Sequence, residues 1–283
     1  MNILYGILLG LIQGVAEFLP ISSSGHLALA ENLLGAAGGG QLAAMDGSAS
    51  FNVMLHLATM IAVVVAYWPD VRDMVTEFFA LVKGAAKGES LVAGNVPVRR
   101  LILLIVVGTL PLFLVLPFRH KIESLNAIPW FIGAALLVTG VLLFLADRMP
   151  RGRKTERDMT LWDAVFIGVA QGVATIPGLS RSGTTITAGM SRGLTREFAV
   201  KYSFLMSLLS VLGAVLLSLI DVLKDGIEPG ILPACLTGMV VAGVTGYFSI
   251  KLLQKLVAKG RFGGFAYYCW GAGALSILLS LIL

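Results

Sequence analysis

Charge is what this sequence has least of. Only 13% of its 283 residues are Asp, Glu, Lys or Arg, roughly half the share usual in a soluble domain. A chain of this length has room for one large or two ordinary soluble domains. Hydrophobic residues at 57% and a mean hydropathy of +0.89 exclude both. Cysteine is nearly absent. Cys235 and Cys269 sit in apolar runs, with no CxxC spacing and no histidine nearby. That excludes a redox motif or a zinc site and reads as two buried residues of membrane helices. The start, Met1-Asn2-Ile3-Leu4, lacks a basic region, and the first apolar run contains Glu17. This argues against a cleaved signal peptide. The formal charge of +5 is no nucleic-acid signal, because excess Lys and Arg in a membrane protein report orientation.

Long apolar runs are abundant. Six reach spanning length, at about 20 residues each: 51–68, 101–117, 128–146, 198–220, 231–250 and 264–283. Two other stretches, 3–34 and 161–190, are interrupted by Pro, Gly and Ser. Each reads as two half-helices around a break, which survives at membrane depth only when buried in protein or lining a wet cavity.

These two stretches are copies. Gly10-Leu-Ile-Gln13-Gly14-Val15-Ala16-Glu17 aligns with Gly168-Val-Ala-Gln171-Gly172-Val173-Ala174-Thr175. Without a gap, Ser22-Ser23-Ser24-Gly25-His26 then falls on Ser180-Arg181-Ser182-Gly183-Thr184. Three spans separate the copies, and an odd number of crossings inverts the second. The expected fold is an all-α polytopic membrane protein, a single membrane domain over 1–283. It holds an inverted-topology repeat of six transmembrane helices plus two re-entrant helical hairpins. The first repeat is 1–146 and the second 161–283.

Loop charges orient it. With the loop at 147–160 cytoplasmic, Arg148, Arg151, Arg153, Lys154 and Arg157 share a side with three other basic groups. These are Arg72, Lys83, Lys87, Arg99 and Arg100; Arg192, Arg196 and Lys201; and Lys251, Lys255, Lys259 and Arg261. The opposite side keeps Arg119, Lys121 and Lys224. This bias is what the positive-inside rule requires, and it puts both termini outside. The basic run 148–157 is read as an orientation signal, and Gly-rich 35–47 as a flexible outer loop. The first hairpin then enters from outside and the second from the cytoplasm. Their tips converge near the midplane, where half-helix N-termini suit an anion.

Arg181 is the basic residue left over, inside an apolar segment. A central arginine costs roughly 2.5–3.5 kcal/mol on insertion scales, so it needs a partner. With Ser180, Ser182, Gly183, Thr184 and Thr185 it can form an oxyanion cradle for phosphate. It can also lock structurally onto Glu17, and the two readings are compatible. Gln13 and Glu17 are four apart and share a helix face. A buried carboxylate beside an anion site repels the anion unless it holds a cation or moves a proton. Glu17 with Gln13 is thus a candidate ligand pair for Mg²⁺ or Ca²⁺, with a proton-coupling or salt-bridge role as the alternative. Ser23 and His26, three apart, have the parts of an activated nucleophile, and His26 alone can serve as a base or accept a phosphoryl group. His56, mid-span, and His120, in an outer loop, receive no role.

With Glu17, Ser23, His26 and Arg181 in view, the sequence resembles the bacterial undecaprenyl pyrophosphate phosphatase family known for bacitracin resistance. The first motif of that family is Gln13-Gly-Val-Ala-Glu17, continued by Phe18-Leu19-Pro20-Ile21-Ser22-Ser23-Ser24-Gly25-His26. The second is Pro177-Gly178-Leu179-Ser180-Arg181-Ser182-Gly183-Thr184-Thr185. Gln at 13 removes a two-carboxylate metal site. The resemblance implies removal of the terminal phosphate of undecaprenyl pyrophosphate, which recycles the lipid carrier for cell-wall synthesis. It implies a divalent cation and a site open to the outer face of a bacterial cytoplasmic membrane. Glu17 would be essential through the metal, Ser23 and His26 would be nucleophile or acid–base groups, and Arg181 would neutralise phosphate. Ser22, Ser24, Ser180, Ser182, Gly183 and Thr185 would hold phosphate oxygens. The expected partners are the polyprenyl pyrophosphate and membrane lipid, with a homodimer allowed and nucleic acid excluded. Broken helices in inverted repeats also suit a lipid-carrier or anion transporter. A two-histidine lipid phosphatase is disfavoured, because no histidine follows His120.

Overall fold

The first helix runs without a breaker until Pro20, which has no N–H to continue the ladder. In the computed structural model, which describes residues 3–38, 49–86, 96–225, 230, 232–260 and 262–282, α1 (Ile3–Phe18) stops there and α2 (Ser23–Gly38) begins. The second hairpin repeats this pattern as α8 (Leu161–Val173) and α9 (Arg181–Ser191). Between them lie α3 (Ala49–Ala66), α4 (Trp68–Ala86), α5 (Val96–Thr109), α6 (Arg119–Glu123) and α7 (Pro129–Arg148). After them come α10 (Arg196–Asp225), α11 (Leu232–Ala258) and α12 (Gly264–Ile282).

Five stretches among the described residues are long and apolar enough to cross a bilayer: Pro97–Ala127, Pro129–Arg148, Arg196–Ser218, Leu232–Ala258 and Gly264–Ile282. Phe51–Ala66 with Trp68–Gly84 adds a sixth, bent by 94°. The protein is therefore an all-α, multi-pass membrane protein. Its outer surface is apolar, with Trp162, Leu114, Phe248 and Tyr267 exposed.

Three features depart from the sequence reading. The 3–34 hairpin continues through Gly38, so the expected flexible loop at 35–47 starts as helix, and 39–47 lie outside the described residues. Lys87 and Arg261 also lie outside them, and nothing is described of the Lys224 side chain. The segment after Tyr67 is a second helix, α4, pinned by Arg99 to Glu77 and Lys201 to Asp70, each at 2.5 Å. The basic run 148–157, expected only as an orientation signal, also acts as a clamp. Arg153 and Lys154 donate backbone N–H groups to Gly193 O at 3.0 and 2.9 Å. The Lys154 and Arg192 side chains reach the fully buried Asp163 at 2.9 and 2.8 Å.

The hairpins are held by close approach. Along α1, Gly6, Gly10 and Gly14 lie against Ala234, Gly238 and Ala242 of α11. Small residues at four-residue spacing let two helix backbones touch. In the second copy, Gly168 of α8 lies against the backbone of Gly108 in α5. The hairpin tips touch reciprocally. A methyl on Gly25 would lie 3.0 Å from Gly178 Cα, and one on Gly183 would lie 3.2 Å from Pro20 Cβ. In the sequence alignment Gly25 matches Gly183, and Pro20 matches Gly178. Each tip thus meets the other through the same two positions.

Candidate active site

The site forms where the tips meet. Ser22 takes the left-handed φ of 73°, rare for a residue with a Cβ, and turns the chain from α1 into α2. Its hydroxyl accepts from Gly25 N at 3.2 Å. In the second hairpin the Ser180 hydroxyl accepts from Gly183 N at 3.1 Å. Both serines cap free N–H groups at the start of the second half-helix. Ser22 and Ser180, expected to hold phosphate, are thus buried capping residues.

Glu17 is the hub. Its side chain is 6% exposed and pairs with Arg181 through Oε1. Its Oε2 accepts from the Ser23 hydroxyl at 2.6 Å and from Gln13 Nε2 at 3.1 Å. Arg181 also donates to Ser210 Oγ at 3.2 Å, and Ser210 in turn reaches Gln171 Oε1 at 3.4 Å. Gln171 is the repeat mate of Gln13. The carboxylate is buried and the guanidinium partly so, and removing Arg181 strands the Glu17 charge at a cost of up to about 3–5 kcal/mol. Beside the pair lies a cavity of about 10 Å³ lined by Glu17, Arg181, Thr59 and Ser207, the size of one water.

The sequence-predicted residues divide. Gln13, Glu17, Ser23 and Arg181 come together. His26 does not join them: its Nδ1 meets Ser22 O at 2.8 Å and its Nε2 meets Tyr268 Oη at 2.8 Å. No hydrogen bond joins the Ser23 and His26 side chains among the described residues. The hydroxyl partner of Ser23 is Glu17 instead. Ser24 is exposed, its hydroxyl 3.4 Å from Ser22 Oγ. Ser182 is buried 3.3 Å from Ser180 Oγ. The Thr185 hydroxyl donates to Arg181 O at 2.8 Å and lies 2.6 Å from Ser203 Oγ.

Sequence reasoning missed several neighbours. His56 Nδ1 accepts from Gln13 Nε2 at 3.3 Å; a mid-span histidine was its only sequence signal. Thr139, fully buried on α7, donates to Gly178 O and accepts from Ser180 N, both at 3.1 Å. Ser210 and Tyr268 carried no signal, since hydroxyls are common in apolar helices.

Two broken half-helix pairs, closing on one carboxylate–guanidinium pair among apolar helices, define a multi-pass membrane protein with a polar site at the junction of its hairpins. The chain belongs to the bacitracin resistance protein BacA family, whose model matches residues 6–275. It is similar over its whole length to relatives named undecaprenyl-diphosphatase. One, from Methanosphaera stadtmanae, is 37% identical over 287 residues, covering 100% of both chains. Another, from Halothermothrix orenii, is 39% identical over 281 residues and 99% of both chains. A third, from Syntrophotalea carbinolica, is 38% identical over 283 residues, 99% of this chain and 100% of its own.

Proposed function

We propose that this protein hydrolyses undecaprenyl pyrophosphate to undecaprenyl phosphate and inorganic phosphate. The observation that carries the mechanism is the Ser23 hydroxyl, held 2.6 Å from the Glu17 carboxylate, which Arg181 pairs from the other side. Ser23 Oγ attacks the terminal phosphorus as its proton passes to Glu17. The bridging P–O bond breaks and undecaprenyl phosphate leaves. Water then cleaves the phosphoserine: its hydroxyl stays on phosphorus, its other proton returns to Ser23 Oγ, and Glu17 gives the proton it took to the departing inorganic phosphate. Charge in such a reaction spreads over the phosphoryl oxygens and the leaving bridge. Arg181, with five N–H donors, has donors beyond those used on Glu17 and Ser210 to meet it.

Glu17 and Gln13 would hold the divalent cation, Mg²⁺ or Ca²⁺, once the Gln13 amide, whose Nε2 faces Glu17 here, turns its oxygen toward the carboxylate. Gln13 Oε1 is buried with no hydrogen-bond partner, an oxygen donor of the kind these ions take. No cluster of three or more His, Cys, Asp or Glu exists among the described residues, so the remaining ligands would be phosphate oxygens and water. When bound, the cation neutralises pyrophosphate charge. The basic loops support a cytoplasmic-membrane orientation with the site open to the outer face, where the polyprenyl tail stays in lipid.

Purified protein is expected to release phosphate from undecaprenyl pyrophosphate with Mg²⁺ or Ca²⁺ and to stop when chelator is added. Arg181→Lys, which keeps the charge but loses the planar fork, is expected to fall about 10²–10³-fold. Movement of the lipid across vesicles without phosphate release would replace this reading with transport.

A further inference from the structure

His26 is held in a way that defines its tautomer. The Ser22 carbonyl can only accept, so His26 Nδ1, 2.8 Å away, carries the hydrogen. In the neutral ring Nε2 is then a lone pair. The group facing Nε2 at 2.8 Å is the Tyr268 hydroxyl, which must donate to it. The two rings are also stacked, with centroids 5.6 Å apart and planes 14° from parallel. Tyr268 comes from α12, at the far end of the chain, and is 49% exposed on the apolar surface. The repeat mate of His26, Thr184, has a buried hydroxyl with no partner, so this arrangement belongs to the first hairpin alone.

We propose that Tyr268 is the positioning residue for His26. Its ring fixes the imidazole plane, and its hydroxyl holds Nε2 at an exposed position beside the first hairpin tip. A hydroxyl suits this task because it can donate to a lone pair or accept from an N–H. His26 Nε2 therefore keeps a partner whether it binds a proton or gives one up. Carbonyl and phenol together leave His26 one usable nitrogen, and the phenol covers it until an arriving headgroup turns it aside. The covering phenol stands on the lipid-exposed side, where a polyprenyl-linked headgroup arrives. The role in turnover rests on the phosphatase reading, with His26 Nε2 as the base that helps deprotonate the water cleaving the phosphoserine, whereas the hydrogen bond itself does not.

Two readouts separate these. The first uses no substrate: modification of His26 by diethylpyrocarbonate in the full-length protein, followed by mass spectrometry of its peptide. Tyr268→Phe keeps the stacked ring and uncovers Nε2. It is expected to speed His26 modification about three- to tenfold, the range of one net hydrogen bond. His120 serves as the internal control. Equal rates in the two proteins, including no modification in either, overturn the proposal. The second readout compares phosphate release by Tyr268→Phe and Tyr268→Leu. Tyr268→Phe is expected to lose about tenfold in kcat and Tyr268→Leu, which loses the ring as well, at least as much, with KM within about twofold in both. Tyr268→Phe turning over like wild type while Tyr268→Leu fails would assign the contact to packing alone and overturn the positioning role. Faster labelling of a Tyr268→Phe protein whose wild type releases no phosphate would uphold the hydrogen bond and discard the phosphatase reading.

Discussion

A single carboxylate at depth must satisfy both oxygens, and Glu17 does so with Arg181 on one and Ser23 and Gln13 on the other. These residues were legible in the sequence because charge inside an apolar run is costly and so conspicuous. Their partners were not. Whether Ser23 faces Glu17 or His26 depends on how Ser22 turns the chain, and three-residue spacing does not encode a left-handed φ. Thr139 was equally silent, since a threonine in an apolar helix usually bonds its own backbone. Here it instead clamps the second tip, taking Gly178 O and Ser180 N together. Thr139→Val keeps the shape and leaves both backbone groups buried without a partner. It is expected to destabilise the protein by about 1–3 kcal/mol, measured as reduced thermal or denaturant resistance in detergent. Unchanged stability would show that the clamp contributes nothing.

Helices were easier to read than their ends. The paired half-helices followed from Pro20 and from the Pro177-Gly178 break, and the long spans from apolar length. The bend at Tyr67 and helix α4 escaped, because an amphipathic segment with mixed charges reads as a loop when only spanning runs are sought. The glycines of α1 show how an element is placed. Gly6, Gly10 and Gly14 present bare backbone to α11, so the hairpin can seat Glu17 against α9. A branched side chain at Gly10 would meet the backbone of Gly238, and the neighbour cannot yield as a flexible side chain would. Gly10→Val is expected to push α1 off α11 and lower phosphate release by at least about tenfold, with a loss of stability of about 1–3 kcal/mol. Gly264, where an added methyl would meet no neighbouring element within 4 Å, is the control: Gly264→Ala should behave as wild type. Equal effects at both positions would contradict close packing as the cause.

At the scale of the molecule, the two hairpins are alike in frame and unlike in chemistry. Both use a capping serine, and each tip leans on the other through matching positions. The first copy carries Glu17, Ser23 and His26, whereas the second places Thr175, Arg181 and Thr184 at the equivalent positions. The two hairpin tips thus bring a carboxylate with a hydroxyl, from the first, against a guanidinium, from the second, at one junction. The alignment of the two copies made that junction readable before any coordinates. The division of labour within it needed the side-chain contacts. The most direct test of that division is steady-state phosphate release from undecaprenyl pyrophosphate by purified Ser23→Ala beside wild type, with folding checked by thermal unfolding. A folded Ser23→Ala protein is expected to lose at least about 10³-fold in turnover, because the attacking oxygen is gone. Turnover within about tenfold of wild type would mean that water or another group attacks, and that the hydroxyl on Glu17 is not the nucleophile.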